Sequence, residues 1–332
     1  MLSRVANSLY WLGRYLERAE NLARLVEVNR YDALDTVGAA SINSDQIWQP
    51  LLYATCSEDA YRTISESSPD APDVASFITF SREHPDSIRQ CIASARENAR
   101  MVRDQISEDM WLELNSFHLF IQSREAEQLW DSQPDAFFRR TIRSCLLFSG
   151  LINATILHDE GWHFIQTGKF LERADKTTRI LDMLAYHADP EPARLASALR
   201  SCSGLSAFRE EGRGDISLDT VTAFLLFSQS FPRSVRFCLR TLDEQLHNIS
   251  GTPGGAFSNE AERLAGSLLA QLNFSSMDNV WQQGLNDYID GLQQQFNHIG
   301  QRIFETYVLL PAEIRSVNRD NAPVWQQQQQ QQ

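Results

Sequence analysis

Leu9, Leu12, Leu16, Ala19, Ala23 and Val26 recur at intervals of three and four residues, the spacing that lines one stripe of an α-helix. Trp11, Tyr15, Leu22 and Leu25 widen that stripe on one side, while Gly13, Glu17, Glu20 and Arg24 fall on the opposite flank. The same reading along the chain predicts helices at about 2–34, 44–62, 73–83, 85–107, 109–128, 134–155, 159–187, 190–202, 217–229, 232–249, 258–272 and 278–309. Pro85 and Pro232 sit where a helix begins, since proline is tolerated in the first turn. No Val/Ile/Thr-rich alternating run marks a strand. Ser67 to Pro72, Glu210 to Gly214 and Gly251 to Gly255 read as loops. Residues Gln326 to Gln332 are a glutamine run with nothing apolar to bury, and are expected to be disordered.

Two parts of this pattern occur twice. Gly13-Arg14-Tyr15-Leu16-Glu17-Arg18-Ala19-Glu20 aligns without gaps with Gly168-Lys169-Phe170-Leu171-Glu172-Arg173-Ala174-Asp175, and the later Arg24 aligns with Arg179, an offset of 155 residues. Further on, Phe77, Phe80, Ser81, Pro85, Ser87, Arg89 and Cys91 recur as Phe224, Phe227, Ser228, Pro232, Ser234, Arg236 and Cys238, an offset of 147. Two matches in one order at nearly equal offsets point to a duplicated module. The expected fold is all-α: two tandem, diverged helical-bundle repeats at 1–155 and 156–310, related by pseudo-twofold symmetry, with a tail at 311–332.

Composition narrows the function. The 332 residues contain 15 glycines and 11 prolines, too few for a many-stranded β fold. A net charge of -13 opposes the phosphate backbone, so no nucleic acid partner is expected. Five widely spaced cysteines without a CxxC pair argue against a disulfide framework or zinc ribbon and for a reducing compartment. The first residues lead into an amphipathic helix rather than an apolar signal region, and no stretch of about 18 apolar residues suggests a membrane span. The expected location is cytoplasmic, with no membrane partner.

Candidate chemistry centres on the repeated Leu-Glu-Arg-Ala. Neighbours on a helix point about 100° apart, so Glu17 and Arg18 cannot share one partner. An arginine beside an apolar edge needs a carboxylate or carbonyl, because an unpaired buried charge is unfavourable. Two readings stay open. Glu17, Arg18, Glu172 and Arg173 form ion pairs that lock each module or join the copies, or their helices line a shared polar pocket or partner surface. Gly13 and Gly168 would permit a close approach in the latter. Arg24 and Arg179 extend this polar flank. Arg89 and Arg236, with Ser87 and Ser234, mark either an anion pocket at a helix start or a cap with an ion pair. Arg96, Glu97, Asn98, Arg100 and Arg103 crowd one helix and are expected to meet the polar side of Glu17 or Glu172. Glu160 and His163 have the Glu-x-x-His spacing of di-iron bundles, but only one such pair occurs, and polar residues at a helix start, with Asp159 near the cap, are the better account of the segment. No nucleophile stands out: Cys91 and Cys238 lie between apolar neighbours. No Gly-rich phosphate loop followed by Lys-Ser/Thr is present, so no cofactor is expected.

Tyr10-Trp11-Leu12-Gly13-Arg14-Tyr15-Leu16-Glu17-Arg18-Ala19-Glu20-Asn21 resembles the opening of the alpha-E family, an alpha-helical domain marked by a Glu-Arg motif. Ala95-Arg96-Glu97-Asn98-Ala99-Arg100, then Val102 to Ser107 and Trp111, resemble it too. The resemblance spans residues 1 to 310. It implies association with circularly permuted ATP-grasp ligase-like proteins, encoded beside or fused to the family, and with transglutaminase-like proteins. It thus implies an accessory partner of an ATP-grasp-type ligase in an amide- or peptide-bond-forming pathway. Two alternatives remain: an enzyme in its own right, holding a peptide-like or anionic substrate in a Glu/Arg pocket, and a metal-binding helical bundle.

Overall fold

The computed structural model describes residues 1–37, 45–64, 71–186, 190–212 and 214–309. The glutamine run and the tail lie outside them, as does most of the Ser67 to Pro72 loop. The described residues are helical, with no strand among them. The first eight helices are α1 (Ser3–Val37), α2 (Asp45–Ala54), α3 (Glu58–Arg62), α4 (Ala71–Phe80), α5 (Ile88–Met101), α6 (Glu108–Ile121), α7 (Arg124–Ser132) and α8 (Pro134–Thr155). The next eight are α9 (Glu160–Ala185), α10 (Pro192–Ser201), α11 (Leu205–Glu210), α12 (Leu218–Phe227), α13 (Val235–Ser250), α14 (Glu260–Phe274), α15 (Met277–Gln283) and α16 (Leu285–Phe304). A π-helical turn, Glu305–Leu309, comes after α16. No helix among them is long and apolar enough to cross a membrane.

Local chemistry sets the boundaries, and in places it moves them from where periodicity put them. The helices expected to begin at Pro85 and Pro232 begin instead at Ile88 and Val235. Ser87 and Ser234 are the caps, accepting the amide protons of Gln90 and Phe237. The span expected at 109–128 breaks where Ser123 caps α7. The span at 278–309 breaks at Gly284, whose φ of 92° is open to glycine at little strain. The span at 44–62 breaks at Cys56, and α11 begins after the equivalent turn at Ser203; both residues have φ 53°. In these turns the Ser57 amide donates to Leu52 O at 2.9 Å and the Gly204 amide to Leu199 O at 2.7 Å. Helices α2 to α5 start at residues 45, 58, 71 and 88, and α10 to α13 at 192, 205, 218 and 235, each 147 later.

The long helices α1 and α9 run through the centre and pack on each other; α4, α5, α8 and α10 surround α1, and α2, α12, α13 and α16 surround α9. The α1 stripe from Leu9 to Val26 is buried, and one apolar cluster continues from it through both halves of the chain. Burial of that surface holds the helices together.

The crossing of α1 and α9 is unusually close. A β-carbon at Gly13 would lie 2.2 Å from Ile165 O, and one at Gly168 would lie 2.0 Å from Tyr10 O. The contacts exchange roles: Gly13 and Tyr10 of α1 face Ile165 and Gly168 of α9. No side chain fits at either glycine without moving a helix backbone. Gly13→Ala and Gly168→Ala should each lower unfolding stability by about 2–3 kcal/mol or more. Gly150→Ala, on α8 with nothing within 4 Å, should raise it by about 0.5–1 kcal/mol. Chemical denaturation of the three variants checks this; a neutral Gly13→Ala would refute the close crossing.

Candidate functional site

One helical turn beyond each glycine comes a Glu-Arg pair, so the crossing sets Glu17 and Arg18 against Glu172 and Arg173. The Arg173 guanidinium donates from Nε and Nη2 to the two Glu17 oxygens, each at 2.7 Å. Arg18 donates in the same way to Glu172, at 2.7 and 3.2 Å. Each helix therefore supplies a carboxylate to the other's arginine. The forked geometry of guanidinium and carboxylate favours such paired bonds. Glu17 and Glu172 are 4% and 0% exposed, so these are core contacts.

Further groups extend the pairs into a lattice. Arg14 donates to Glu172 at 2.7 Å, and Lys176 lies 3.5 Å from the same carboxylate. Arg233, at the start of α13, reaches Glu17 at 3.0 Å and also bonds Glu20. At the corresponding place before α5 stands Asp86, which bonds Arg18. Glu20 pairs with Arg24 at 2.9 Å, and Asp175 with Arg179 at 2.9 Å. Around Glu172, three carboxylates (Glu172, Asp86, Asp175) face four cations (Arg14, Arg18, Lys176, Arg179). Around Glu17, two carboxylates (Glu17, Glu20) face Arg173, Arg233 and Arg24, with Lys169 beside them. The centre is rich in cations although the chain carries -13.

The fields of these groups fix their protonation. Burial alone pushes the Glu17 carboxyl up, but Arg173 and Arg233 overcome it and hold it at about 2. Glu172 is likewise driven up by burial and pulled well below the carboxylate range by Arg14, Arg18 and Lys176. Lys169 differs. Burial and the nearby Arg173 push its amine down to about 8, with Glu17 and Glu20 only partly offsetting them. Its Nζ donates to Ser149 Oγ at 2.7 Å, inside a small cavity that Glu17, Glu20, Cys145 and Phe148 help to line.

Other candidates stand apart from the lattice. Arg89 donates to Gln122 Oε1 at 2.6 Å, and Arg236 to Asn273 Oδ1 at 2.8 Å. The hydroxyls of Ser87 and Ser234 are spent on capping and on Ser81 O and Ser228 O. The group expected to meet Glu17 or Glu172 does not do so. Arg96 bonds Asn115 at 2.8 Å, and Arg96 and Arg103 lie over the Trp111 ring. Arg100 pairs with Glu97 on the surface, and Asn98 bonds Ser94 O of its own helix. The reason is rotational: Ile88, Cys91, Ile92, Ala95 and Ala99 form the buried face of α5, which turns the polar residues outward.

His163 Nδ1 is 2.7 Å from Gln245 Oε1, and Glu160 meets the Met1 amino group. Asp159 caps α9. Among the described residues no three His, Cys, Asp or Glu side chains converge as metal ligands do. Burial raises the Cys91, Cys202 and Cys238 thiols to about 12 and the Cys145 thiol well above its ordinary value, which keeps them protonated. Cys56 is exposed, with Arg179 Nη1 2.8 Å from its sulfur.

Sequence reasoning passed over Arg14, Glu20, Asp86, Lys169, Asp175, Lys176 and Arg233 as members of the lattice. One signal was available: the chain has two lysines, 169 and 176, and both lie on α9 at its centre.

Removing one partner from such a lattice leaves a buried charge unmatched. Glu17→Gln should destabilise the protein by about 3–5 kcal/mol at pH 7. The pH dependence takes its sign from the direction of the shift. Glu17 is depressed in the fold, so its contribution is present above its unfolded value of about 4.3 and is lost as pH falls towards 2. Denaturation at pH 7 and pH 2.5 checks both: the gap between wild type and Glu17→Gln should narrow in acid. A variant as stable as wild type at pH 7 would sink the lock.

Residues 1–308 match the Alpha-E domain, described as "a predicted alpha-helical domain with a conserved ER motif". An uncharacterized protein of Mycobacterium bovis and uncharacterized proteins of two Mycobacterium tuberculosis strains are each 25% identical over 346 aligned positions. Those alignments cover 97% of this chain but 38% of each relative, so the chain spans about two fifths of their length. No solved structure matches. With the match running from the first residue through the end of α16, the chain belongs to the Alpha-E family.

Proposed function

We propose that the chain is a rigid, non-catalytic partner of an ATP-grasp-type ligase in an amide- or peptide-bond-forming pathway. It consists of two diverged copies of one helical module, 1–155 and 156–310, joined about a pseudo-twofold axis at the glycine crossing. Support for the duplication comes from the recurring helix starts and from contacts that exchange roles between α1 and α9. The observation that carries the functional reading is that the Glu-Arg motifs consume each other. Glu17 is held at about 2 with both oxygens bonded to Arg173, which makes it a weak, occupied base; arginine does not deprotonate in proteins, and the core thiols are protonated, so these groups are poorly suited to act as base or nucleophile near neutral pH. The motif is built to hold shape. Longer relatives, in which this domain fills 38% of the chain, support a module that works beside other domains. The ligase as partner, and a transglutaminase-like protein in the same pathway, come from the family resemblance.

Co-expression with a neighbouring ATP-grasp-type ligase should yield a complex that survives gel filtration, and ligase turnover should depend on it. Two purified proteins that never associate, with the ligase equally active alone, would overturn the reading.

A further inference from the structure

Arg14 is a lattice cation that also lines a groove between α1 and α16. This groove of about 380 Å³ lies against it, lined by Tyr10 and Trp11 of α1 and by Phe296, Asn297, Gly300, Gln301 and Phe304 on one face of α16. That volume suits a small organic molecule. The guanidinium is held in place: Nε donates to Glu172, Nη1 donates to the Tyr10 hydroxyl at 3.2 Å, and the Trp11 ring centre is 5.0 Å away. Nη2 has no hydrogen-bond partner among the described residues. Its charge is also under-matched, because Glu172 serves Arg14, Arg18 and Lys176 together.

Gly300 leaves this wall of the groove without a side chain. A β-carbon there would stand 3.4 Å from Leu171 Cδ2, 3.6 Å from the Tyr10 hydroxyl and 3.8 Å from Arg14 Nη1, in ordinary contact, so a side chain would narrow the groove beside the arginine. The other half of the molecule treats the aligned cation differently. There α8 presents Ser149 to Lys169, and the hydroxyl accepts from the amine. Where Lys169 is satisfied from within, Arg14 is left reachable.

We propose that this groove binds a small organic carboxylate, with its carboxylate on Arg14 and its apolar body between the aromatic rings. A single guanidinium edge suits one carboxylate better than a doubly charged phosphate, which draws on several donors. Asn297 and Gln301, exposed at the rim, offer amides to a peptide-like body. The inference concerns this chain alone and stands whether or not a ligase partners it.

The test is calorimetric titration of the whole protein with N-acetyl-phenylalanine and with its neutral amide, with the Trp11 indole resonance monitored by NMR. The acid should bind with a Kd of about 1 mM or tighter and shift Trp11, and the amide should bind about tenfold more weakly. Gly300→Ala should keep the melting temperature and lose affinity. Gly300→Asp, which supplies its own carboxylate to Arg14, should abolish binding. Equal affinity for acid and amide, no binding of the acid by about 10 mM, or unchanged affinity in a folded Gly300 variant would each overturn the proposal. If Gly300→Asp does not fold, Gly300→Ala decides.

Discussion

Where α1 crosses α9, each helix sets a glycine against the other's backbone carbonyl. That closeness dictates how the charges beside it are neutralised. Helices packed through side chains sit about 8–10 Å apart, and a polar residue at such an interface has room to reach solvent. Here the charges one turn beyond the glycines are enclosed at once. Each must find its complement across the crossing, which makes the Glu17–Arg173 and Glu172–Arg18 pairs reciprocal. The glycines and the ion pairs are two aspects of one contact.

A buried lattice of this kind is a poor source of net stability, because desolvation offsets much of the Coulomb attraction. Its effect is selective. An apolar seam tolerates rotation and slippage of one helix on another, whereas a bidentate pair breaks when either helix shifts by a fraction of a turn. Stability itself comes from the continuous apolar core that surrounds both central helices. The lattice then chooses one register among those the core would accept. The surroundings of the two pairs differ: Asp86 before α5 and Arg233 before α13, 147 positions apart, carry opposite charge, and Arg14 and Lys169 answer to different neighbours.

The helical character, the two long helices that carry the Glu-Arg motifs and the recurrence of those motifs were legible from periodicity and from repeated residues. So was the rule that Glu17 and Arg18 take separate partners, since it rests on 100° per residue. Helix boundaries were less legible. Ser87 and Ser123 each set an end through one hydrogen bond, which a hydrophobic stripe does not register. Arg96, Arg100 and Arg103 show the same limit: their density implied contact with Glu17 or Glu172, and the direction in which α5 turns its apolar face led them elsewhere.

What the sequence determined alone was therefore local and rotational: which residues are helical, which share a face, and which positions occur twice. Which helix each charge meets was decided by the tertiary structure. Glu17 finds Arg173 across 156 positions and Arg233 across 216. No local pattern encodes such separations; they arise because packing of the apolar faces brings α1, α9 and the start of α13 to one point. The open groove over Arg14 is likewise tertiary, since Gly300 is an ordinary helical glycine until α16 is laid against α1.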